Sequence, residues 1–248
     1  MTIIKSGIDV SEHQQSIDWD RAKEQISFAM IRAGCGSKLD ARAKDNSTQC
    51  VLLNIPYGYY WFSYAFNEYE AINEAKMLCD FADKFNPTYP ICFDLEYDCL
   101  NRMKEHRINP TSELLCKIAT AFMNYVEQRG YYAMFYTSLD MLKEYFNPLR
   151  GRYDMWLAYW NAQNPPVNCG IWQARNNAKI EGIKSFVDLN FAYKDYEKLT
   201  TKNKPSISTN VDELAKEIAN QIFDEFDKVK VEILLDRVSK IISKYISK

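Results

Sequence analysis

Short apolar, β-branched and aromatic runs recur along the first two hundred positions, at 7–10, 28–33, 56–64, 91–97, 132–137, 155–160, 170–174 and 187–191. Each has the length and bounding turn residues of a strand. Between the earlier runs the period changes. Ala71, Ala75, Leu78 and Ala82 recur at three- and four-residue steps within 67–85, and Leu115, Ile118, Ala119, Phe122 and Val126 do so within 110–129, where Thr111 or Ser112 supplies a cap. Shorter helices are expected at 18–25 and 139–145. The last runs lie too close together for full helices between them, so the pattern predicts an α/β fold: an irregular (β/α)8-type barrel with an incomplete helix set.

One run carries a chemical anomaly. In Phe93-Asp94-Leu95-Glu96-Tyr97 two carboxylates stand two residues apart. A strand has a side-chain period of two, so Asp94 and Glu96 share a face while Phe93, Leu95 and Tyr97 take the other. An unpaired buried carboxylate costs about 1–3 kcal/mol or more, so an apolar strand with two of them needs a reason. The plain alternative is a frayed strand end facing water or basic partners. Two more acids weigh against it: Asp9 in Ile8-Asp9-Val10 and Asp188 in Val187-Asp188-Leu189 sit in similar apolar runs. All four are expected late in their strands, at the carboxyl ends where barrels of this class collect their chemistry. If the first and last strands meet by barrel closure, Asp9 and Asp188 fall side by side.

After residue 200 the pattern breaks. Residues 201–210 are polar, aperiodic and contain Pro205, which reads as a linker. Residues 211–248 regain helical spacing, first through Val211, Leu214, Ala215, Ile218 and Ile222, then through Leu234, Val238, Ile241 and Tyr245. So short a unit cannot bury these faces alone. It is expected to dock on the barrel or to join protomers into a homo-oligomer, whereas residues 1–200 form the barrel.

Composition narrows the classes. Net charge is −2 with both signs mixed along the chain, which excludes a nucleic-acid-binding stripe. No run approaches the roughly 18 apolar residues of a membrane span, and the first residues lack a signal-peptide apolar core. These features give the expectation of a chain made in the cytoplasm. Seven cysteines with no CxxC pair imply reduced, mostly buried thiols, and with only His13 and His106 no zinc site or other cofactor is expected. The rich supply of rings, 17 Tyr, 13 Phe and 5 Trp, suits a groove that stacks on sugars or bases, although core packing accounts for most of them.

Gly7-Ile8-Asp9-Val10-Ser11 with Ile17-Asp18-Trp19, Phe28–Gly34, Pro56–Tyr64, Phe93-Asp94-Leu95-Glu96, Tyr153–Ala158, Ile171-Trp172-Gln173 and Val187–Asn190 together resemble the glycoside hydrolase family 25 lysozymes, over about residues 5–198. Gln15, where many relatives carry Gly, and Tyr97-Asp98-Cys99 after the signature depart from the pattern. The resemblance implies an N-acetylmuramidase that cleaves the β-1,4 bond between N-acetylmuramic acid and N-acetylglucosamine in bacterial peptidoglycan. It makes Glu96 the general acid and Asp94 the nucleophile or the stabiliser of an acetamido-assisted intermediate, with Asp9 and Asp188 supporting the pair. Ionised Asp94 would keep the proton on Glu96 by like-charge repulsion. Tyr60, Phe62, Trp160 and Gln173 resemble sugar-holding groove positions, and Arg32 either pairs with an acid at the mouth or stays on the surface. A lysozyme of this type without a signal peptide suggests a phage endolysin that waits in the host cytoplasm for a holin. Residues 211–219 resemble the opening of short wall-binding repeats of some lysozymes, without their Gly- and Trp-containing middle, which adds wall binding to the expected roles of residues 211–248. The competing classes are a catalytically dead glycan-binding barrel, against which the four acids argue, and a chitinase-like glycosidase, whose Asp-x-x-Asp-x-Asp-x-Glu spacing is absent.

Overall fold

The computed structural model describes residues 2–201. Nine strands form one sheet: β1 (Lys5–Val10), β2 (Phe28–Cys35), β3 (Lys38–Leu39), β4 (Tyr57–Phe62), β5 (Ile91–Asp94), β6 (Ala133–Ser138), β7 (Asp154–Ala158), β8 (Ile171–Ala178) and β9 (Val187–Ala192). Eight of them close into a barrel through the β1–β2 and β1–β9 pairings, and β3 only extends β2 as a short hairpin. Within the barrel, β1, β2 and β4 to β8 pair in parallel, whereas β9 runs antiparallel to both of its neighbours. The chain explains the reversal. A parallel return needs a crossover of about a dozen residues or more, and the β8–β9 connection offers only residues 179–186.

Seven helices accompany the strands: α1 (Trp19–Ala22), α2 (Ala43–Leu52), α3 (Glu68–Ala82), α4 (Tyr97–Glu105), α5 (Ser112–Gln128), α6 (Leu139–Met141) and α7 (Tyr196–Thr201). The two long ones lie where the apolar period puts them. Asn67 caps α3 by accepting from the Glu70 amide, and Thr111 caps α5 by accepting from Leu114. Between β7 and β9 the described residues hold no helix, as the crowded spacing requires. α2 and α4 are additions to the sequence reading. α2 turns Ala43, Asn46, Ser47 and Cys50 inward, a small and polar set that leaves no apolar stripe to read.

Strand alternation divides the core in two. Outward residues such as Ile31, Tyr59, Trp61, Phe93, Phe135 and Leu157 pack under the helices. Inward residues Phe28, Met30, Cys92, Met134, Trp156 and Ile171 fill the barrel together with Tyr89 and Tyr196. Gly58 points into this crowded interior, where a Cβ would come within 2.4 Å of the Pro90 carbonyl oxygen. The filling is largely apolar toward the strand starts, where Asp154 at the head of β7 accepts from the Tyr132 and Tyr196 hydroxyls. Acids replace it at the other end. Residues 202–248, which hold nearly all of the expected linker and the whole helical unit, lie outside the described residues.

Candidate active site

The hydrogen-bonded part of β5 ends at Asp94, so the strand is three residues shorter than the pattern suggests. Glu96 instead caps α4 with an extended backbone (φ −120°, ψ 178°). That extension preserves the alternation: Phe93 and Leu95 join the outer core, while Asp94 and Glu96 line the barrel mouth. Asp188 differs more. It is the second residue of β9, not a late one, and reaches the same mouth because its strand runs backwards. The β1–β9 register sets Asp9 directly opposite Asp188.

All four acids line a cavity of about 270 Å³ whose walls include Ser11, His13, Gln14, Arg32, Tyr60 and Phe62. Gln173 and Asn190 hold the outer pair. Gln173 Nε2 donates to Asp9 Oδ2 at 3.0 Å and to Asp188 Oδ2 at 3.1 Å, and Asn190 Nδ2 donates to Asp9 Oδ2 at 2.7 Å. The Gln173 carbonyl accepts from the Tyr136 hydroxyl at 3.1 Å and from Trp160 Nε1 at 3.0 Å. An indole nitrogen can only donate, so the amide orientation is fixed, and its two N–H groups and two lone pairs are all used. Gln173 thus spends its N–H groups on Asp9 and Asp188 and its carbonyl on Tyr136 and Trp160. Asn190 is oriented in turn by Trp156 Nε1, which donates to Asn190 Oδ1 at 2.8 Å.

Electrostatics follow from burial. Desolvation first, then the Asp188 charge, pushes the Asp9 carboxyl well above the usual range, against the pull of Asn190 and Gln173. Burial also raises Asp188, opposed by its hydrogen bond with Asp9. Asp94 is raised strongly by burial and then by the Glu96 and Asp9 charges, with Arg32 opposing. Its Oδ1 is buried without a hydrogen-bond partner in the protein. Glu96, nearer the opening, is raised by burial, then by Asp188 and Asp98. Burial thus raises all four carboxyls. Interacting acids of this kind titrate as a set.

The remaining expected residues divide. Tyr60 and Phe62 line the cavity, and Tyr60 meets Trp156 edge-on at 5.7 Å between ring centroids. Trp160 stands outside the walls, 45% exposed at the rim. Arg32 is buried and pairs with acids, but with none of the four: Nε meets Asp40 Oδ2 at 2.7 Å and Nη2 meets Glu12 Oε1 at 3.0 Å. Asn190, Tyr136 and Trp156 were not singled out from sequence. Asn190 carried a usable signal, since it follows Asp188 by one strand period.

The family model described as glycosyl hydrolases family 25 matches residues 8–183. Among solved structures, the modular autolysin LytC of Streptococcus pneumoniae, in complex with a synthetic peptidoglycan ligand, is 28% identical with a TM-score of 0.66; the match covers 76% of this chain and 46% of the autolysin. This chain thus spans about half of that protein's length. A family 25 glycosyl hydrolase from Bacillus anthracis shares the fold at 21% identity and a TM-score of 0.67, over 82% of this chain and 94% of its own. The uncharacterized protein YegX of Escherichia coli O157:H7 is 29% identical over 198 residues, 74% of this chain and 68% of that protein. A family match over more than half of the sequence, on a closed barrel with four acids gathered at one mouth, places this chain in glycosyl hydrolase family 25, as a glycoside hydrolase.

Proposed function

We propose that this chain is a peptidoglycan hydrolase of the N-acetylmuramidase type, cleaving the β-1,4 bond between N-acetylmuramic acid and N-acetylglucosamine. The observation that carries the reading is the gathering of Asp9, Asp94, Glu96 and Asp188 around one cavity in a family 25 barrel. Glycoside cleavage needs a proton for the leaving oxygen and negative charge near the developing oxocarbenium ion. Glu96, the member of its pair nearer the opening, is the general acid, and Asp94 below it acts at the anomeric centre.

The unpaired Oδ1 of Asp94 favours action through the substrate's own acetamido group. A sugar N–H donated to that oxygen would stabilise the Asp94 charge and leave the shared proton on Glu96. Asp9 and Asp188, fixed by Gln173 and Asn190, keep a second charge close to the pair. Tyr60 and Phe62 offer ring faces to the sugars within the cavity, and Trp160 offers one at its rim.

The test is hydrolysis of purified cell walls with identification of the new reducing ends. N-acetylmuramic acid ends are expected from the native chain. General acid catalysis is worth about 10²–10⁴-fold, so Glu96→Gln should lower the rate by at least ~10² with the fold intact. N-acetylglucosamine ends would refute the bond assignment, and near-native rates in E96Q would remove Glu96 from its role.

A further inference from the structure

Glu96 is a cap that does not cap. Its side chain makes no hydrogen bond to the first amides of α4, whereas Asn67 and Thr111 spend their side-chain oxygens that way on α3 and α5. With the carboxyl turned into the cavity, the opening turn of α4 lacks its usual side-chain acceptor, and a helix N-terminus favours a nearby anion. That field works against a general acid, because it draws the proton off.

Asp98 stands in the same first turn. The Tyr64 hydroxyl, just beyond the end of β4, donates to its Oδ2. Arg102, one turn further along α4, lies over the same ring with Cζ 4.2 Å from the centroid. The Tyr64 hydroxyl thus ties the exposed Asp98 carboxylate to the chain leaving β4, and Arg102 packs on the Tyr64 ring. The stretch Tyr97-Asp98-Cys99 is also where this chain leaves the family pattern.

We propose that Asp98 is a positioning residue for Glu96: anchored by Tyr64, its carboxylate offsets the positive end of α4 and keeps the general acid protonated. The inference rests on the reading of Glu96 given above. Asp94 on β5, Asp9 on β1, Asp188 on β9, Tyr136 on β6, Tyr60 on β4, Arg32 on β2 and His13 after β1 line the same cavity as Glu96. Asp98 is the acid in the first turn of the helix that Glu96 opens. After burial and Asp188, the Asp98 charge is the remaining cause that raises Glu96.

The experiment measures kcat/KM against pH for wild type, Asp98→Asn and Asp98→Glu at low salt, together with the titration of ¹³C-labelled glutamate carboxyls in the full chain. One carboxylate at this range should move the alkaline limb of D98N toward acid by about 0.5–1 pH unit, a loss of roughly three- to tenfold above the limb. D98E should restore the native limb, and added salt should shrink the difference. The Glu96 carboxyl should titrate lower in D98N by a similar amount. That readout needs no activity, so it tests the Asp98 effect even if Glu96 proves not to be the acid. An unmoved Glu96 titration in folded D98N overturns the proposal, as does a rate loss equal at every pH. If D98N folds poorly, D98E and Asp98→Ser carry the same comparison.

Discussion

Replacing Asp94 by Asn should destroy activity and stabilise the fold at neutral pH. Asp94 is 4% exposed, one of its oxygens has no partner in the protein, and burial together with Glu96 and Asp9 raises its pKa well above the ordinary carboxylate value. In the unfolded chain it ionises near the usual value of about 3.9. Above that pH the folded state binds more protons at this position than the unfolded state, so the slope of unfolding free energy against pH is negative. Stability is fully present below the unfolded pKa and is lost as pH rises toward the folded one. Each pH unit inside that window costs about 1.4 kcal/mol. Asn has no such window. A buried charged group without full hydrogen bonding costs about 1–3 kcal/mol, and a barrel of this size gains about 2–4 °C in Tm per kcal/mol, so D94N should melt several degrees above wild type at pH 7. The advantage should shrink or reverse by pH 4, where the native carboxyl is protonated in the folded state and about half protonated in the unfolded one. Thermal denaturation at half-unit steps from pH 4 to 8 measures the difference curve. A flat difference across that range, or a D94N protein less stable at pH 7 than at pH 4 relative to wild type, would refute the reasoning.

The same linkage applies outside the cavity at Glu74, which accepts from Ser63 Oγ and the Tyr64 amide and is raised by burial to about 7. Glu74→Gln should flatten the loss of stability between about pH 4.5 and 7; denaturant titrations at three pH values within that interval check it, and an unchanged slope counts against the assignment. Gln15 lies at φ 59°, ψ −135°, a region that favours Gly, and relief of such strain is worth about 1–3 kcal/mol less the 0.5–1 kcal/mol entropy cost of Gly. Gln15→Gly should therefore raise stability by about 0.5–2 kcal/mol in urea unfolding, and a loss would show that the side chain matters more than the backbone. Arg32→Met strips the buried Asp40 carboxylate of its cation, leaving the Glu12 and Arg42 amides as its donors. It should cost about 2–4 kcal/mol in the same measurement, with a cost below 1 kcal/mol as the refuting outcome.

Much of this architecture was written in alternation. Inward and outward residues follow period two through β2, β5, β6 and β7, so the placing of Asp94 with Glu96, and of Asp9 opposite Asp188, was legible before any coordinates. Strand direction was not. Nothing in Val187-Asp188-Leu189-Asn190 tells which way the strand runs; the short loop before it does, by ruling out a crossover. The helical start at Tyr97 was hidden because Phe93–Tyr97 satisfies a strand pattern, and the chain keeps that conformation for two residues after the last ladder bond. The partners of Arg32 were hidden for another reason. Asp40 and Glu12 come from separate loops, and no local period connects them. Gln173 was named, but its role depends on a count of hydrogen bonds that only geometry supplies.

The backward run of β9 has an engineering consequence. In a parallel barrel strand an acid at the mouth is followed by a loop, and lengthening that loop leaves the acid where the ladder put it. Asp188 is preceded by its loop instead, so residues 179–186 feed into the site from the upstream side. They are pinned along the way. Ile180 and Ile183 are buried, the Gly182 carbonyl accepts from the Asp18 amide at 2.9 Å, and a Cβ on Gly182 (φ 88°) would sit 2.2 Å from the Asp18 oxygen. Among the mouth loops this one is the least open to grafting: an insertion here acts on the spacing of Asp9 and Asp188 as a change in strand register, with every inward side chain of β9 at stake.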